Sequence, residues 1–160
     1  MYWDWVTDST NPTQAAVFDP VLGFGTNGVM SEAANNNGHP PLRDGAFASL
    51  RPTYWNNWTE PHSLSRHWQL NGGFNDLHSG AYNEESMALV NAETSYDGFR
   101  IALEGGPHSS VHGGVGGPAG DMGTQNASPN DPLFFLHHAV VALAGAGSRR
   151  KDKRLQWERH

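Results

Sequence analysis

His108 and His112 stand four residues apart, so on a helical turn their imidazoles rise from one face and can share one metal ion. In a chain with nine histidines that spacing also arises between unrelated surface or core residues. The intervening Ser109-Ser110-Val111 excludes one chemistry, because no glutamate follows the first histidine to act as the general base of a zinc-protease helix. A third ligand is offered by His137-His138, set in the apolar run from Leu133 to Val141. Two adjacent imidazoles in such a segment are costly unless something satisfies them. On a helix they diverge by about 100°, so at most one is expected to reach the ion that His108 and His112 share, and the other needs a hydrogen-bond partner. The chain has no cysteine, which rules out thiolate ligands, disulfides and a cysteine nucleophile. An all-imidazole triad suits Cu, Zn, Fe or Ni and does not choose among them.

These residues need elements to hold them. Asp131 as N-cap and Pro132 at the first position open an apolar helix predicted from Leu133 to Leu143. Glu84–Val90 and Ser95–Glu104 carry helical spacing, and Phe99, Ala102 and Leu103 fall on one face. Gly105-Gly106-Pro107 is read as a stop, with Pro107 opening the next helix, followed by a glycine-rich loop over 113–120. A short helix is expected from about Pro61 to Trp68, ended by Asn71-Gly72-Gly73. Residues 6–60 show no sustained period and are broken by Asn-Pro, Asp-Pro, Asn-Gly and Pro-Pro steps, the pattern of long ordered loop. Its aromatic pins are Phe18, Phe24, Phe47, Tyr54, Trp55 and Trp58. The class is therefore mainly α with long ordered loops.

Composition bounds the function. One hundred and sixty residues make about one domain. Residues 1–148 carry net charge −10 and residues 149–160 net +4. An acidic body has no electrostatic footprint for nucleic acid, and no apolar stretch reaches the length of a membrane span; neither partner is expected. The start Met1-Tyr2-Trp3-Asp4-Trp5 has no signal-peptide pattern, which leaves localisation unknown, with secretion open if the natural N-terminus lies upstream. The sequons at Asn57 and Asn126 matter only in that case.

Taken together, Tyr2-Trp3-Asp4-Trp5, the run Asp97-Gly98-Phe99-Arg100 … Gly106-Pro107-His108-Ser109-Ser110-Val111-His112 … Met122, and Ser128-Pro129-Asn130-Asp131-Pro132-Leu133-Phe134-Phe135-Leu136-His137-His138 resemble tyrosinases and related polyphenol oxidases. Asp44-Gly45-Ala46-Phe47 and Pro61-His62-Ser63-Leu64-Ser65-Arg66 are similar to the fungal and bacterial members. The resemblance covers residues 2–141. It implies part of the antiparallel four-helix bundle of type 3 copper proteins, lacking its first helices. Two coppers, each on three histidines, there couple O2 to the oxidation of phenolic small molecules: o-diphenols to o-quinones, and in some members monophenols. Position by position, the second copper's ligands fall on His108, His112 and His138. Glu104 matches a carboxylate that some members use to hold a water near the metals, and an ordinary helix-end glutamate is the equal alternative. His137 and Asp131 are read as residues that support the ligands from behind, His137 by packing or hydrogen bonding.

The sequence also departs from that family. The first copper site there precedes the Tyr-Trp-Asp-Trp motif, which here follows Met1 directly, so at most one copper site is expected. His39, His62, His67, His78 and His160 are read as hydrogen-bonded or solvated loop residues. Ala142 replaces the family's aspartate, and Leu143–Ser148 is expected to dissolve the helix, which sets the domain at residues 1–141 and an atypical basic tail at 142–160. The expectation is an internal stretch or imperfect gene model, with low activity alone and poor solubility from an under-covered face around Phe134, Phe135 and Leu136. Two further readings stay open: a non-catalytic module holding one metal, and a degenerate homologue.

Overall fold

The structure is a computed structural model that describes residues 1–55, 59–70 and 76–157, with side chains through residue 147. Trp58, the Asn71–Gly73 stop and His160 lie outside the described residues. Four α-helices, α1 (Glu84–Ala92), α2 (Tyr96–Leu103), α3 (Ser109–Gly116) and α4 (Leu133–Trp157), carry the C-terminal half. Short 3-10 turns and extended loop make up the rest of what is described.

Local chemistry explains the starts. Asn83 accepts from the Ser86 amide at 2.9 Å to cap α1, and Ser95 Oγ accepts from the Gly98 amide at 3.0 Å to cap α2. Leu133 N donates to Asp131 Oδ1 at 3.0 Å, so Asp131 does cap α4. Phe99 and Leu103 are buried and Ala102 packs beside them.

Three expectations about helix limits are corrected. Gly105-Gly106-Pro107 does not break the chain: α2 runs into α3 through a π turn, Glu104–His108, with Pro107 buried inside it. A proline removes one amide and crowds the preceding turn, and a widened turn absorbs both. Residues 113–116, read as loop, form the end of α3. Leu143–Ser148 does not dissolve α4, which continues to Trp157. Gly145 and Gly147 cost about 1 kcal/mol each against alanine, but no reversal of the chain stops the helix there, and Val141 and Ala144 pack on the Val90, Phe99 and Leu103 cluster.

The fourth correction concerns Pro61–Trp68, which is extended rather than helical. Its backbone bonds go across to another extended segment: Leu42 N donates to Leu64 O at 2.7 Å, Arg66 N to Pro40 O at 3.2 Å, and Ser65 bridges Pro41. That pairing leaves Leu64, Ser65 and Arg66 fully buried.

The long N-terminal segment is pinned by aromatics, as expected for Phe18, Phe24, Phe47 and Trp55, whereas Tyr54 is exposed. Phe18 meets Trp3 edge-on at 5.2 Å and Trp68 at 5.0 Å, and Phe24 packs on Phe47 at 5.0 Å. Trp3, Trp5, Phe18, Leu77, Tyr82, Val111, Val115, Met122 and Leu133 form one core cluster between this segment and α3–α4. On α4, Leu133, His137, Val140, Val141 and Ala144 recur at helical spacing along the inward face. His137 thus lies on the buried stripe and His138 at its edge. Phe135 points out and is 61% exposed, while Phe134 and Leu136 are partly covered by the core.

Candidate metal centre

His108 ends the π turn and His112 lies one turn into α3, so the two rings share a face, 4.9 Å apart between centroids. Val111 and Val115 lie beside the pair on α3 and are fully buried in the core. Gly114 lets α3 lie against the Leu77 carbonyl, where any Cβ would collide. α4 brings His138 to the pair: its Nε2 lies 3.4 Å from His108 Nε2 and 3.2 Å from His112 Nε2. Three nitrogens bound tetrahedrally to one ion at about 2.0–2.1 Å sit about 3.3–3.4 Å apart, and the two separations from His138 are close to that.

Hydrogen bonding does not account for this approach. His112 Nδ1 lies 2.8 Å from the Met122 carbonyl. A carbonyl only accepts, so the proton sits on Nδ1 and the Nε2 lone pair faces the cluster. His138 Nε2 carries at most one hydrogen and cannot donate well to two neighbours at once. A cation at the centre uses all three lone pairs. The donor set therefore fits a borderline metal such as copper.

The electrostatics agree. Burial, with His112 next to it, holds His108 below the usual imidazole range, against a small opposing pull from Glu104. Burial lowers His112 too, partly countered by its bond to Met122. His138 is pushed down to about 4, first by burial and then by His108 and His112. Each stays neutral at pH 7, the form that offers a lone pair to a metal.

His137 is the fourth imidazole of the group, and one ring nitrogen from each of the four lies within 4.8 Å of the others. It is fully buried, stacked on His108 at 5.2 Å and 11°, and 6.1 Å from Trp5. Sequence reasoning requires a hydrogen-bond partner for it; the structure supplies none of normal geometry to either ring nitrogen. Burial and the three other imidazoles drive it down to about 2, with the His108 backbone opposing slightly.

The remaining singled-out residues fall in two places. Glu104 is largely exposed, takes an ion pair from Arg100 at 3.1 Å, and lines a cleft of about 480 Å3 with His108, His112 and His138. Ser109, Gly113, Met122 and Gln125 form the rim of that cleft, and Phe134 stacks on His138 at 3.9 Å. Asp131 is away from the metal group and fully buried, bidentate to Arg66 at 2.7 and 2.9 Å. Among the described residues no other cluster of three metal-capable side chains occurs. His39 stacks on Trp55 at 4.0 Å, and His62 is buried 2.9 Å from Asp121. Sequence reasoning missed the Met122 carbonyl and the Arg66 partner of Asp131. A backbone acceptor leaves no mark in side-chain identity, and a partner 65 residues away leaves none in local pattern.

A family model described as the common central domain of tyrosinase matches residues 1–142. The chain belongs to the tyrosinase family. It is 30% identical over 140 residues to the tyrosinase-like protein phomQ2 of Diaporthe leptostromiformis, covering 88% of this chain and 35% of that protein. To the tyrosinase of Streptomyces galbus it is 32% identical over 147 residues, covering 86% and 48%, and to that of Streptomyces glaucescens 31% over 159 residues, covering 94% and 53%. The chain spans about a third to a half of the length of the curated relatives it matches. Tyrosinase-family enzymes are copper oxidoreductases acting on phenols with O2, and the mainly helical chain is consistent with part of their helical core. None of the helices among the described residues is long and apolar enough to cross a membrane.

Proposed function

We propose that this chain supplies the second-copper half of a tyrosinase-type phenol oxidase, with His108, His112 and His138 as the ligands of one copper. The observation that carries this reading is the approach of His138 Nε2 to both His108 Nε2 and His112 Nε2, at 3.4 and 3.2 Å. Bound copper supplies the redox centre through which two o-diphenols lose two electrons each and one O2 takes four, giving two o-quinones and two waters. Whether monophenols are also substrates depends on the rim of the cleft.

The chain's own residues do the rest. The Met122 carbonyl holds the His112 ring, and Phe134 backs His138. The cleft admits a planar phenol beside the imidazoles. Glu104, at its mouth and exposed to water, can accept the phenolic proton directly or through a water. Arg100 sets the carboxylate's direction from one turn earlier. Asp131 and His137 act from outside the ligand set, Asp131 by fixing where α4 begins.

A second reading has its own support. One metal-capable group occurs among the described residues, and its fourth imidazole is unpartnered. A mononuclear, non-catalytic module has that composition. Copper counting together with oxygen uptake on a catechol separates the two. Two coppers per active unit with uptake supports the oxidase. One metal with no uptake, when coding sequence upstream of Met1 holds no further spaced histidines, supports the module.

A further inference from the structure

We propose that Asp121 is a positioning residue for the metal centre: its buried carboxylate anchors the turn whose carbonyl fixes the His112 ring. The inference rests on the reading of His112 as a ligand.

Asp121 is fully buried, and four donors meet its two oxygens. Oδ1 accepts from His62 Nε2 at 2.9 Å and Asn130 Nδ2 at 2.8 Å; Oδ2 accepts from Ser65 N and Ser65 Oγ, both at 2.8 Å. The Asp121 amide donates to Ser65 O at 3.0 Å. Three separate parts of the chain, 62–65, 121 and 130, are thereby tied to one carboxylate. Residues Asp121–Gly123 form a single 3-10 turn, and the Met122 carbonyl within it accepts from His112 Nδ1.

The direction of that carbonyl is a property of the turn's backbone. On one side Gly123 presses on Gly116 of α3, a contact that leaves no room for a Cβ and limits the turn only by repulsion. The attractive anchors are the Met122 side chain in the core, the Gly120 amide on Gly116 O at 2.7 Å, and the Asp121 carboxylate, which supplies the side-chain hydrogen bonds. With the turn held, the proton of His112 is kept on Nδ1 and its Nε2 lone pair is presented to the metal. An asparagine at 121 would place an NH2 group against donors: turned toward Ser65 it deprives the Ser65 amide of its acceptor, while Ser65 Oγ can rotate to accept, so at least one of the four bonds would be lost.

The test uses the full chain. In the metal-free protein, 15N NMR of labelled histidines is expected to show His112 as the Nδ1–H tautomer, and Asp121→Asn to convert it to a mixture. Cu(II) affinity, measured against a competing chelator, is expected to fall about 10-fold, the lower end of the effect of residues behind metal ligands. His62→Gln, whose side-chain amide can replace the Nε2–H donor, is expected to keep both readouts. His62→Leu and Ser65→Ala, milder losses, serve if Asp121→Asn does not fold. Val90→Ala in α1, remote from the network, controls for stability. If it lowers affinity as much as Asp121→Asn at a matched urea midpoint, the proposal is overturned. It also fails if the tautomer and affinity are unchanged in Asp121→Asn while His112→Ala abolishes Cu(II) binding. Should His112→Ala leave Cu(II) affinity intact, the ligand reading itself falls, and this inference with it.

Discussion

Removing Asp131 is the perturbation whose cost can be worked most directly from the structure. Its two oxygens take the Arg66 Nε and Nη2 at 2.7 and 2.9 Å, and both side chains are fully buried. Arg66 Nη1 also donates to Gly25 O at 2.6 Å, so the guanidinium cannot swing out to water without freeing that carbonyl. Asp131→Ala therefore leaves a buried, unpaired cation, which costs about 3–5 kcal/mol. It also removes the cap on α4 seen at Leu133, about 1 kcal/mol more. The sum, about 4–6 kcal/mol, approaches the whole stability of many domains, about 5–15 kcal/mol. Because α4 carries His137 and His138, copper binding should fail along with folding. Urea unfolding of the metal-free chain, followed by the fluorescence of its six tryptophans, measures the loss. The double variant Arg66→Met/Asp131→Ala removes both charges and is expected to be more stable than Asp131→Ala alone, with a coupling of about 3 kcal/mol between the sites. A loss under about 1 kcal/mol for Asp131→Ala, or strict additivity in the cycle, would show that other contacts set the start of α4.

Three further outcomes are expected. His137→Leu removes an imidazole with two unpartnered buried nitrogens, so it should leave stability unchanged or raise it by about 1–2 kcal/mol while Cu(II) affinity stays the same; a large drop in affinity would make His137 a ligand. The metal-free chain should lose stability as pH falls from 7 to 5. His137 is held at about 2 in the folded state, whereas the unfolded chain takes up its proton near 6.5. The folded pKa is the lower one, so the stabilisation is complete above about 6.5 and drains away below it, by about 2 kcal/mol at pH 5 from His137 alone. His138, held at about 4, acts in the same direction. A urea midpoint that is flat or rises on acidification contradicts this. Glu104→Gln, at an exposed site, should change stability by less than about 0.5 kcal/mol. In a copper-loaded assembly that oxidises phenols it should lower kcat about 10²-fold if the carboxylate takes the phenolic proton, and unchanged turnover would make it an ordinary helix-end residue.

Much of the site's membership is legible in residue spacing. His108 and His112 at i and i+4, and a histidine pair on a capped apolar helix, already mark the candidate ligands of a shared ion. The Phe99, Ala102 and Leu103 stripe and the Asp131 cap follow from period and side-chain chemistry, which are local. What fails is where non-local contacts overrule local rules. Pro107 reads as a break, yet the chain passes from α2 into α3 through one widened turn that accommodates the missing amide. Pro61–Trp68 reads as a helix start, yet its amides find better partners in Pro40–Leu42.

By itself, then, the sequence determined the ligand candidates, the mainly helical class and the family, because these rest on residue types at short separations. Spacing leaves open which of His137 and His138 faces the pair on α3, and the resemblance implies His138; the tertiary structure brings its Nε2 to 3.2–3.4 Å from the other two, since adjacent residues on a helix differ only in which neighbour they meet. It also decided that the Met122 carbonyl holds the His112 ring and that Asp121 and Asp131 are buried anchors. Those roles depend on partners 10 to 65 residues away, and a linear pattern carries no record of a fold that brings them together.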